Sequence, residues 1–442
     1  NWIKKSMKIK APIHFIGIGG SGMNPLASLL HKKGYTVQGS DQNSSIITKK
    51  LASLGIDVFH NHQIKNVYGA NTIVCSTAIK EDNPELTYAK ENNITILHRS
   101  DVLNILASDK KAIFVAGSHG KTSTAGLLAH VLKYAGFSPS AVIGGKMINY
   151  NDYYLDGDGQ YFIAEADESD GSFLRYKPFV SIVTNIDHDH LDYYGDFSSL
   201  KDAFKQFIMS TNDEGLIALG WDSEPVRDIA RESHDFIGYG SIIGCHNRIL
   251  NVVQNQTSTK FSAVIERDIF EFELNQIGRH NVQNALAVTS VALDLGIDQT
   301  LLTEALLSFK GISRRLEVVH QTRKVTLIND YAHNPGKIKS ALNAVRNAFN
   351  KSQVIAVFQP HRYSRLTTMY KLFCKAFFEA DFVVVTPIFS AGEKPVENIN
   401  HMKLSRDISY LSKTKATAIN HLNEIYDTVH VKDFAHSVIL LL

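Results

Sequence analysis

Ile113-Phe114-Val115-Ala116-Gly117-Ser118-His119-Gly120-Lys121-Thr122-Ser123-Thr124 passes from four apolar residues through two glycines to a lysine followed by hydroxyls. The apolar run reads as a buried strand, and the lysine opens a helix. Such a turn is a phosphate grip: glycines let backbone N–H groups close around an anion, and the helix N-terminus adds partial positive charge. Lys121 is then placed to reach the terminal phosphates of a nucleotide and Thr122 to reach magnesium. The loop is two residues shorter than the usual Gly-x-x-x-x-Gly-Lys-Ser/Thr, with Val115 where the first glycine would stand. From these residues alone it is either a compressed phosphate loop or an ordinary helix cap by Thr122 or Ser123.

The strand–turn–helix unit recurs on both sides of this stretch. A chain of 442 residues exceeds one ordinary hydrophobic core, so two or three domains are expected. From about Ile13 to Ser108, strands at Ile13–Ile18, Val37–Ser40, Thr72–Cys75 and Thr95–Leu97 alternate with helical stretches such as Asn24–Lys33. That alternation predicts a mostly parallel sheet. After the phosphate loop come strands at Tyr161–Ala164 and Ser181–Thr184, then short strand-like runs over Gly215–Phe272. Helices are expected at Asn281–Leu295 and Leu301–Phe309, before a linker at Gly311-Ile312-Ser313. The third block repeats the pattern with strand Val325–Ile328, helix Gly336–Phe349, strand Val354–Phe358, helix Thr368–Ala380 and strand Phe382–Val385.

Composition narrows the class of partner. With 46 Lys and Arg against 44 Asp and Glu there is no basic field for nucleic acid, and the expected partners are small molecules. Cys75, Cys245 and Cys374 have no metal-type pairing and fit reduced cytosolic thiols. No apolar run approaches the roughly 20 residues of a membrane span, and Trp2–Lys10 lacks the core of a signal peptide. A cytoplasmic protein is expected. The chain starts at Asn1 and stops on the apolar run Val438–Leu442, so it is not expected to be the whole gene product.

Polar clusters stand at the ends of these strands. Gly17-Ile18-Gly19-Gly20-Ser21-Gly22, with Asp41 ending the next strand, has the layout of a dinucleotide fingerprint. It suits NAD or FAD, or another diphosphate such as a UDP-sugar. Glu165-Ala166-Asp167-Glu168-Ser169-Asp170 projects acids from a sheet edge, where one carboxylate could hold magnesium. Asn185-Ile186-Asp187-His188-Asp189-His190 follows the next strand; its carboxylate surroundings argue against zinc on the histidines. Asn281 and Asn284 lie one turn apart and could read an adenine edge or cap their helix. Arg314-Arg315 could swing a cation onto a phosphate or form a surface ion pair. Arg362 and Arg365 could present two cations to a carboxylate. Asp330-Tyr331-Ala332-His333-Asn334-Pro335 occupies another strand-to-helix turn, and no serine sits in a nucleophile elbow.

Together these segments resemble the Mur ligase family, the ATP-dependent amide-forming enzymes of peptidoglycan precursor synthesis, over nearly the whole chain. Gly117-Ser118-His119-Gly120-Lys121-Thr122 looks like that family's short phosphate loop, which accounts for the two-residue deficit. The fold implied is α/β with three domains: a Rossmann-like UDP-sugar domain at 1–108, a central P-loop ATPase domain at 109–313, and a Rossmann-like amino-acid domain at 314–442. The activity implied is ATP-dependent joining of L-alanine to the lactyl carboxylate of UDP-N-acetylmuramate through an acyl phosphate. The alternatives are a recycling ligase that attaches a tripeptide to the same nucleotide sugar, and a non-catalytic nucleotide-sugar-binding regulator.

By the same resemblance, Gly17, Gly19, Gly20, Ser21, Gly22, Met23, Ser40, Asp41, Glu168, Ser169 and Ser172 would face the sugar nucleotide. Gly117, Ser118, His119, Gly120, Lys121, Thr122 and Ser123 would hold the ATP phosphates. His280, Asn281 and Asn284 would lie by the adenine, Asp330 by the ribose and Arg315 by the γ-phosphate. Thr122, Glu165 and His190 would hold magnesium or manganese. His333, His361, Arg362 and Arg365 would face alanine and the reacting carboxylate, completing a catalytic set with Lys121, His190 and Arg315. Closure of the domains is implied, with the protein a monomer or homodimer in a bacterial cytoplasm. Later ligases of the family carry a lysine about fourteen residues past the position of His190, where Phe204 stands here. That favours the alanine-adding branch. The Asp330–Pro335 turn looks partly like the diaminopimelate- or lysine-adding branch.

Overall fold

Apolar strands followed by glycine turns build three sheets in the computed structural model, which describes residues 9–231, 235–429 and 436–442. Most of the Trp2–Lys10 stretch lies outside the described residues. The first block folds as β1 (Ile13–Ile16), α1 (Asn24–Lys32), β2 (Val37–Asp41), α2 (Ile46–Ser53), β3 (Asp57–His60), β4 (Thr72–Cys75), α3 (Pro84–Glu91), β5 (Thr95–His98) and α4 (Arg99–Ala107). Its strands are parallel in the order β3-β2-β1-β4-β5. The order reverses beside β1, which opens a crevice outside the carboxyl ends of β1 and β4. Pattern reading had no strand at β3, because Asp57–His60 is edge-exposed and only partly apolar.

The second block comprises β6 (Lys111–Ala116), α5 (Lys121–Tyr134), β7 (Ser140–Met147), β8 (Asp152–Leu155), β9 (Tyr161–Glu165), β10 (Val180–Val183), α6 (Leu191–Tyr194), α7 (Phe197–Met209), β11 (Leu216–Gly220), α8 (Glu224–Ala230) and β12 (Ile237–Gly240). Then follow β13 (Asn247–Gln254), β14 (Thr259–Ile265), β15 (Asp268–Leu274), α9 (Arg279–Asp294) and α10 (Gln299–Ser308). The strand order is β15-β14-β13-β12-β11-β10-β6-β9-β7-β8. The phosphate-loop strand β6 lies between β9 and β10, so the loops after all three leave the same edge. This is why three separate polar segments of sequence converge.

The third block contains β16 (Glu317–Gln321), β17 (Val325–Asn329), α11 (Pro335–Ala348), β18 (Gln353–Phe358), α12 (Tyr363–Thr368), α13 (Tyr370–Cys374), β19 (Phe382–Val385), α14 (His401–Leu411), β20 (Lys415–Ala418), α15 (Ile425–Thr428) and β21 (Ser437–Leu441). The final apolar run enters the middle of this sheet, parallel to both β17 and β18. The expected helix over 368–380 is corrected: helix α12 already ends at Thr368, and the segment holds only the short helix α13, which stops at Cys374. Ser412 explains the early stop. Its hydroxyl donates to Cys374 O at 2.8 Å and accepts from Phe377 N at 3.1 Å, satisfying helix-end groups while Phe377 enters the core.

Two compact units emerge. One holds residues 1–250, 263–270 and 283–309; the other holds 251–262, 271–282 and 310–442. The first sheet and strands β6 to β12 of the second belong to the first unit, and one apolar cluster runs from Ile13 and Phe15 through Phe114 and Phe162 to Phe204 and Phe207. Phe204, where the later ligases' lysine would fall, is fully buried there against Phe173.

Candidate active site

In the first unit, Gly117 and Gly120 adopt φ of +129° and +86°, left-handed geometry that only glycine takes without strain. A methyl at Gly117 would lie 2.1 Å from Thr184 Oγ1, so the turn is also closed to any side chain. Thr184 and Asn185, at the end of β10, brace the loop. Thr184 Oγ1 and Asn185 Nδ2 donate to His119 O at 2.6 and 3.0 Å, and Asn185 accepts from the amides of Ser118 and His119. Those two amides are therefore engaged, which leaves Gly120 and the first turn of α5, whose amides have no helical acceptor, as the donors an anion could take.

Lys121 is held in place by an acid. Its Nζ donates to Gly117 O at 2.5 Å and to both Glu168 oxygens at 2.8 Å, and the Glu168 side chain is 1% exposed. Burial disfavours the ammonium, but Glu168, Asp167 and Glu165 outweigh it and raise its pKa. Thr122 Oγ1 donates to Glu165 Oε2 at 2.9 Å, and Gly144 N donates to the other Glu165 oxygen at 2.6 Å. His190, at φ +56°, places Nε2 3.8 Å from Glu168 Oε1. The structure thus gathers Lys121, Thr122, Glu165, Glu168 and His190, and adds Thr184 and Asn185 as supports. Asn284 lies against the phosphate loop: a methyl at Gly120 would meet its Oδ1 at 2.7 Å.

Thr122 and Glu165 present hard oxygens side by side, the donor set magnesium prefers. No group of three or more His, Cys, Asp or Glu able to hold a metal occurs among the described residues.

Next to these groups lies the glycine turn after β1. Ser40 O accepts from the amides of Gly17 and Ile18, and Asp41 Oδ2 accepts from Gly19 N at 2.9 Å. Asp41 therefore holds the turn itself. Behind it, Glu85 is fully buried on the sheet face. Its Oε2 accepts from Ser40 Oγ at 2.5 Å and lies 3.3 Å from nitrogens of His14 and His62; its Oε1 accepts from Asn66 Nδ2 and Gln63 N. Burial would raise this carboxyl, but the bonds from His14, Ser40 and Asn66 bring it to about 2. In the structure Asn83 caps α3, its Oδ1 accepting from Glu85 N and Leu86 N at 2.9 and 3.2 Å, with Pro84 at the first helical position.

The second unit collects a set of cations. Asp330 Oδ2 accepts from Leu316 N at 2.8 Å, while burial raises its pKa to about 6 against the opposing pull of that bond, Arg315 and Lys337. His333 Nδ1 bonds Tyr331 O at 2.9 Å; a carbonyl only accepts, so Nδ1 carries the proton and Nε2 is the open acceptor in the neutral ring. Burial, Lys337, Arg365 and Arg315 lower His333 to about 4. Arg365 Nη1 lies 3.3 Å from His361 Nδ1, and His361 stacks on Phe389. His280 is lowered to about 4 by burial and by Arg315, and it lines a cavity of about 310 Å³ with Arg279, Lys339, Ser340, Asn343 and Ala344. Asn281 Nδ2 donates to Ile277 O at 2.8 Å, a bond that closes the start of α9.

Asp330 carries a stability cost with a definite pH sign. A carboxyl whose folded pKa is raised binds more protons folded than unfolded, so stability falls as pH rises from 3.8 through about 6. Asp330→Asn, whose carbonyl can still accept from Leu316 N, is expected to raise stability at pH 7 by on the order of 2 kcal/mol. Urea midpoints at pH 7 check this; an unchanged or lowered midpoint would contradict it.

Comparisons with known proteins agree along the chain. Family models described as "Mur ligase family, catalytic domain", "Mur ligase middle domain" and "Mur ligase, glutamate ligase domain" match residues 12–111, 115–292 and 314–442. The UDP-N-acetylmuramate–L-alanine ligase of Desulfatibacillum aliphaticivorans is 39% identical over 399 residues, 90% of this chain and 88% of that protein. The enzyme of that name from Carboxydothermus hydrogenoformans is 37% identical over 429 residues, 96% of this chain and 92% of its own length. The crystal structure of UDP-N-acetylmuramate-alanine ligase from Thermotoga maritima aligns with TM-score 0.84 at 28% identity, covering 97% of this chain and 95% of that one. A murein peptide ligase from Psychrobacter arcticus aligns at TM-score 0.70 and 21% identity, a likeness of fold.

Proposed function

The chain belongs to the Mur ligase family, and we propose from this that it joins L-alanine to the lactyl carboxylate of UDP-N-acetylmuramate, consuming ATP. The observation that carries the reading is the Lys121–Glu168–His190 and Thr122–Glu165 constellation at the phosphate loop, in a chain 37–40% identical over nine-tenths of its length to relatives bearing that activity in their names. A non-catalytic regulator would have no use for this set. A tripeptide-adding ligase is less favoured: the murein peptide ligase aligns at lower TM-score and identity than the alanine ligase does.

A carboxylate is a poor electrophile. Transfer of the γ-phosphoryl of ATP to the lactyl carboxylate oxygen, with ADP leaving, converts it to an acyl phosphate. Attack by alanine's neutral amine gives a tetrahedral intermediate that expels phosphate and leaves the amide. The first-turn amides of α5 and Lys121 would hold the phosphates and neutralise charge growing on the phosphoryl oxygens, which is positioning and electrostatics more than covalent work. Lys121 must leave Glu168 to do so, and His190, beside the same carboxylate, stays as its neighbour. Thr122 and Glu165 would hold magnesium, which supplies positive charge to the phosphates. Asp330 would take the ribose, His280 and Asn281 the adenine side, and Arg315 the γ-phosphate. Arg362 and Arg365 would pair with alanine's carboxylate, and His333 Nε2 would accept a proton as the C–N bond forms. Such a reaction belongs in the cytoplasm of a bacterium; among the described residues no helix is long and apolar enough to cross a membrane.

Phosphate release with ATP, magnesium, UDP-N-acetylmuramate and a panel of amino acids, with the tripeptide as a further acceptor, tests the reading. Stimulation is expected with L-alanine and not with the tripeptide. Folded protein that no amino acid stimulates would overturn it.

A further inference from the structure

Arg99 opens α4 at the carboxyl end of β5, on the side of the first sheet where the strand order reverses. Its Nη2 donates to Asp167 Oδ2 at 2.7 Å, with Asp170 Oδ2 at 3.8 Å. Burial alone would pull the guanidinium down, but Asp167 and Asp170 hold its pKa above the ordinary value, while Arg99, then Lys121, hold Asp167 at about 2. The other edge of the fork is different. Nη1 faces the glycine turn, where a methyl on Gly22 would lie 3.3 Å away, and it makes no hydrogen bond among the described residues. The amides of Ser21 and Gly22 beside it likewise have no acceptor there, whereas those of Gly17, Ile18, Gly19 and Gly20 are engaged. A guanidinium carries five donors in a rigid plane, so one edge can keep a carboxylate while the other takes a second oxyanion.

We propose that Arg99 is a two-sided binding residue: Nη2 keeps Asp167, and Nη1, with the Ser21 and Gly22 amides, takes an oxygen of the diphosphate of the nucleotide sugar. This rests on the function proposed above. Its consequence lies one residue further on, because Asp167 precedes Glu168, the partner of Lys121. The diphosphate, Arg99 and the Asp167-Glu168 strand end form one line of alternating charge, which fixes the sugar nucleotide against the phosphate loop. Nothing in the sequence marks Arg99: it follows a histidine at a helix start and belongs to no motif.

The test measures affinity of wild type, Arg99→Gln and Arg99→Lys for UDP-N-acetylmuramate, UDP and uridine by calorimetric titration or competition at fixed salt. Arg99→Gln is expected to weaken UDP and UDP-N-acetylmuramate about 10- to 100-fold, the range for a lost charge-assisted bond, and to leave uridine unchanged. Arg99→Lys, a point charge that serves one partner at a time, is expected to recover part of the UDP affinity; it carries the same readout should Arg99→Gln not fold. Wild-type UDP affinity in a folded Arg99→Gln, or equal weakening of UDP and uridine, overturns the assignment. Wild type that binds none of the three overturns the proposed function as well.

Discussion

Lys121→Ala is expected to lower turnover on the order of 10³-fold, the scale lost when a phosphoryl-transfer site is deprived of its positioning cation, and to destabilise the fold at the same time. The second effect follows from Glu168. Its carboxylate is 1% exposed and both oxygens lie 2.8 Å from Lys121 Nζ. Removing the ammonium strands a buried anion, which costs about 3–5 kcal/mol when one partner of such a pair is deleted. His190, at 3.8 Å, is too far to replace it by a hydrogen bond. The double variant Lys121→Ala/Glu168→Gln removes the anion too, so it is expected to regain most of the stability and none of the turnover. Phosphate release and urea midpoints on the three proteins separate the two roles. Turnover within tenfold of wild type in Lys121→Ala would remove the lysine from the mechanism. A stability loss that Glu168→Gln does not relieve would remove the pairing argument.

Glu85→Ala is expected to cost about 3–5 kcal/mol, with no part of the reaction touched directly. The fully buried carboxylate gathers Ser40, His14, His62, Asn66 and the Gln63 amide, and alanine would remove the acceptor they share, leaving only Asn61 O for Asn66 and the His62 ring for Ser40. The pH dependence follows from the folded pKa of about 2 against an ordinary 4.5. A depressed acid contributes stability that is fully present above the unfolded value and is lost as pH falls through the folded one. Wild type is therefore expected to lose about 3 kcal/mol of stability from this group between pH 4.5 and 2. Glu85→Gln lacks that component, and its acid limb is expected to be flatter by the same amount. Parallel urea titrations of the two proteins between pH 2 and 5 decide it; superimposable pH dependence would dismiss the network as a source of acid sensitivity.

The legible part of the site was the part encoded locally. Gly117–Thr122 announces a strand, a turn and a helix by composition alone, and the strand-end position of Glu165–Asp170 and Asn185–His190 follows from the apolar runs before them. The edge strands β3 and β8 show no clean alternation, because both are only partly buried, and in β7 the Gly144-Gly145 pair cuts the apolar run Ala141–Ile143 short. The end of α13 was misplaced because a distant hydroxyl, Ser412, decides where it stops. Asn281 and Asn284 were left between adenine contact and helix cap. In the structure Asn281 Nδ2 donates to Ile277 O at the start of α9 and Asn284 Oδ1 faces Gly120, placements that spacing cannot supply.

The sequence by itself determined the α/β blocks, the glycine turns and the kinds of group available, because period, turn chemistry and helix-start signals act within a few residues. Only the tertiary structure decided which charge meets which. Lys121 meets Glu168 forty-seven positions away, Arg99 meets Asp167 at sixty-eight, and Glu85 meets Ser40 at forty-five. Those pairings depend on the order of strands in the sheets, which brings the ends of β6, β9 and β10 to one edge. In a buried site a charge must find its partner or bear the cost of desolvation. So strand order turned the Gly117–Thr122 turn into one whose lysine is already held by a buried acid.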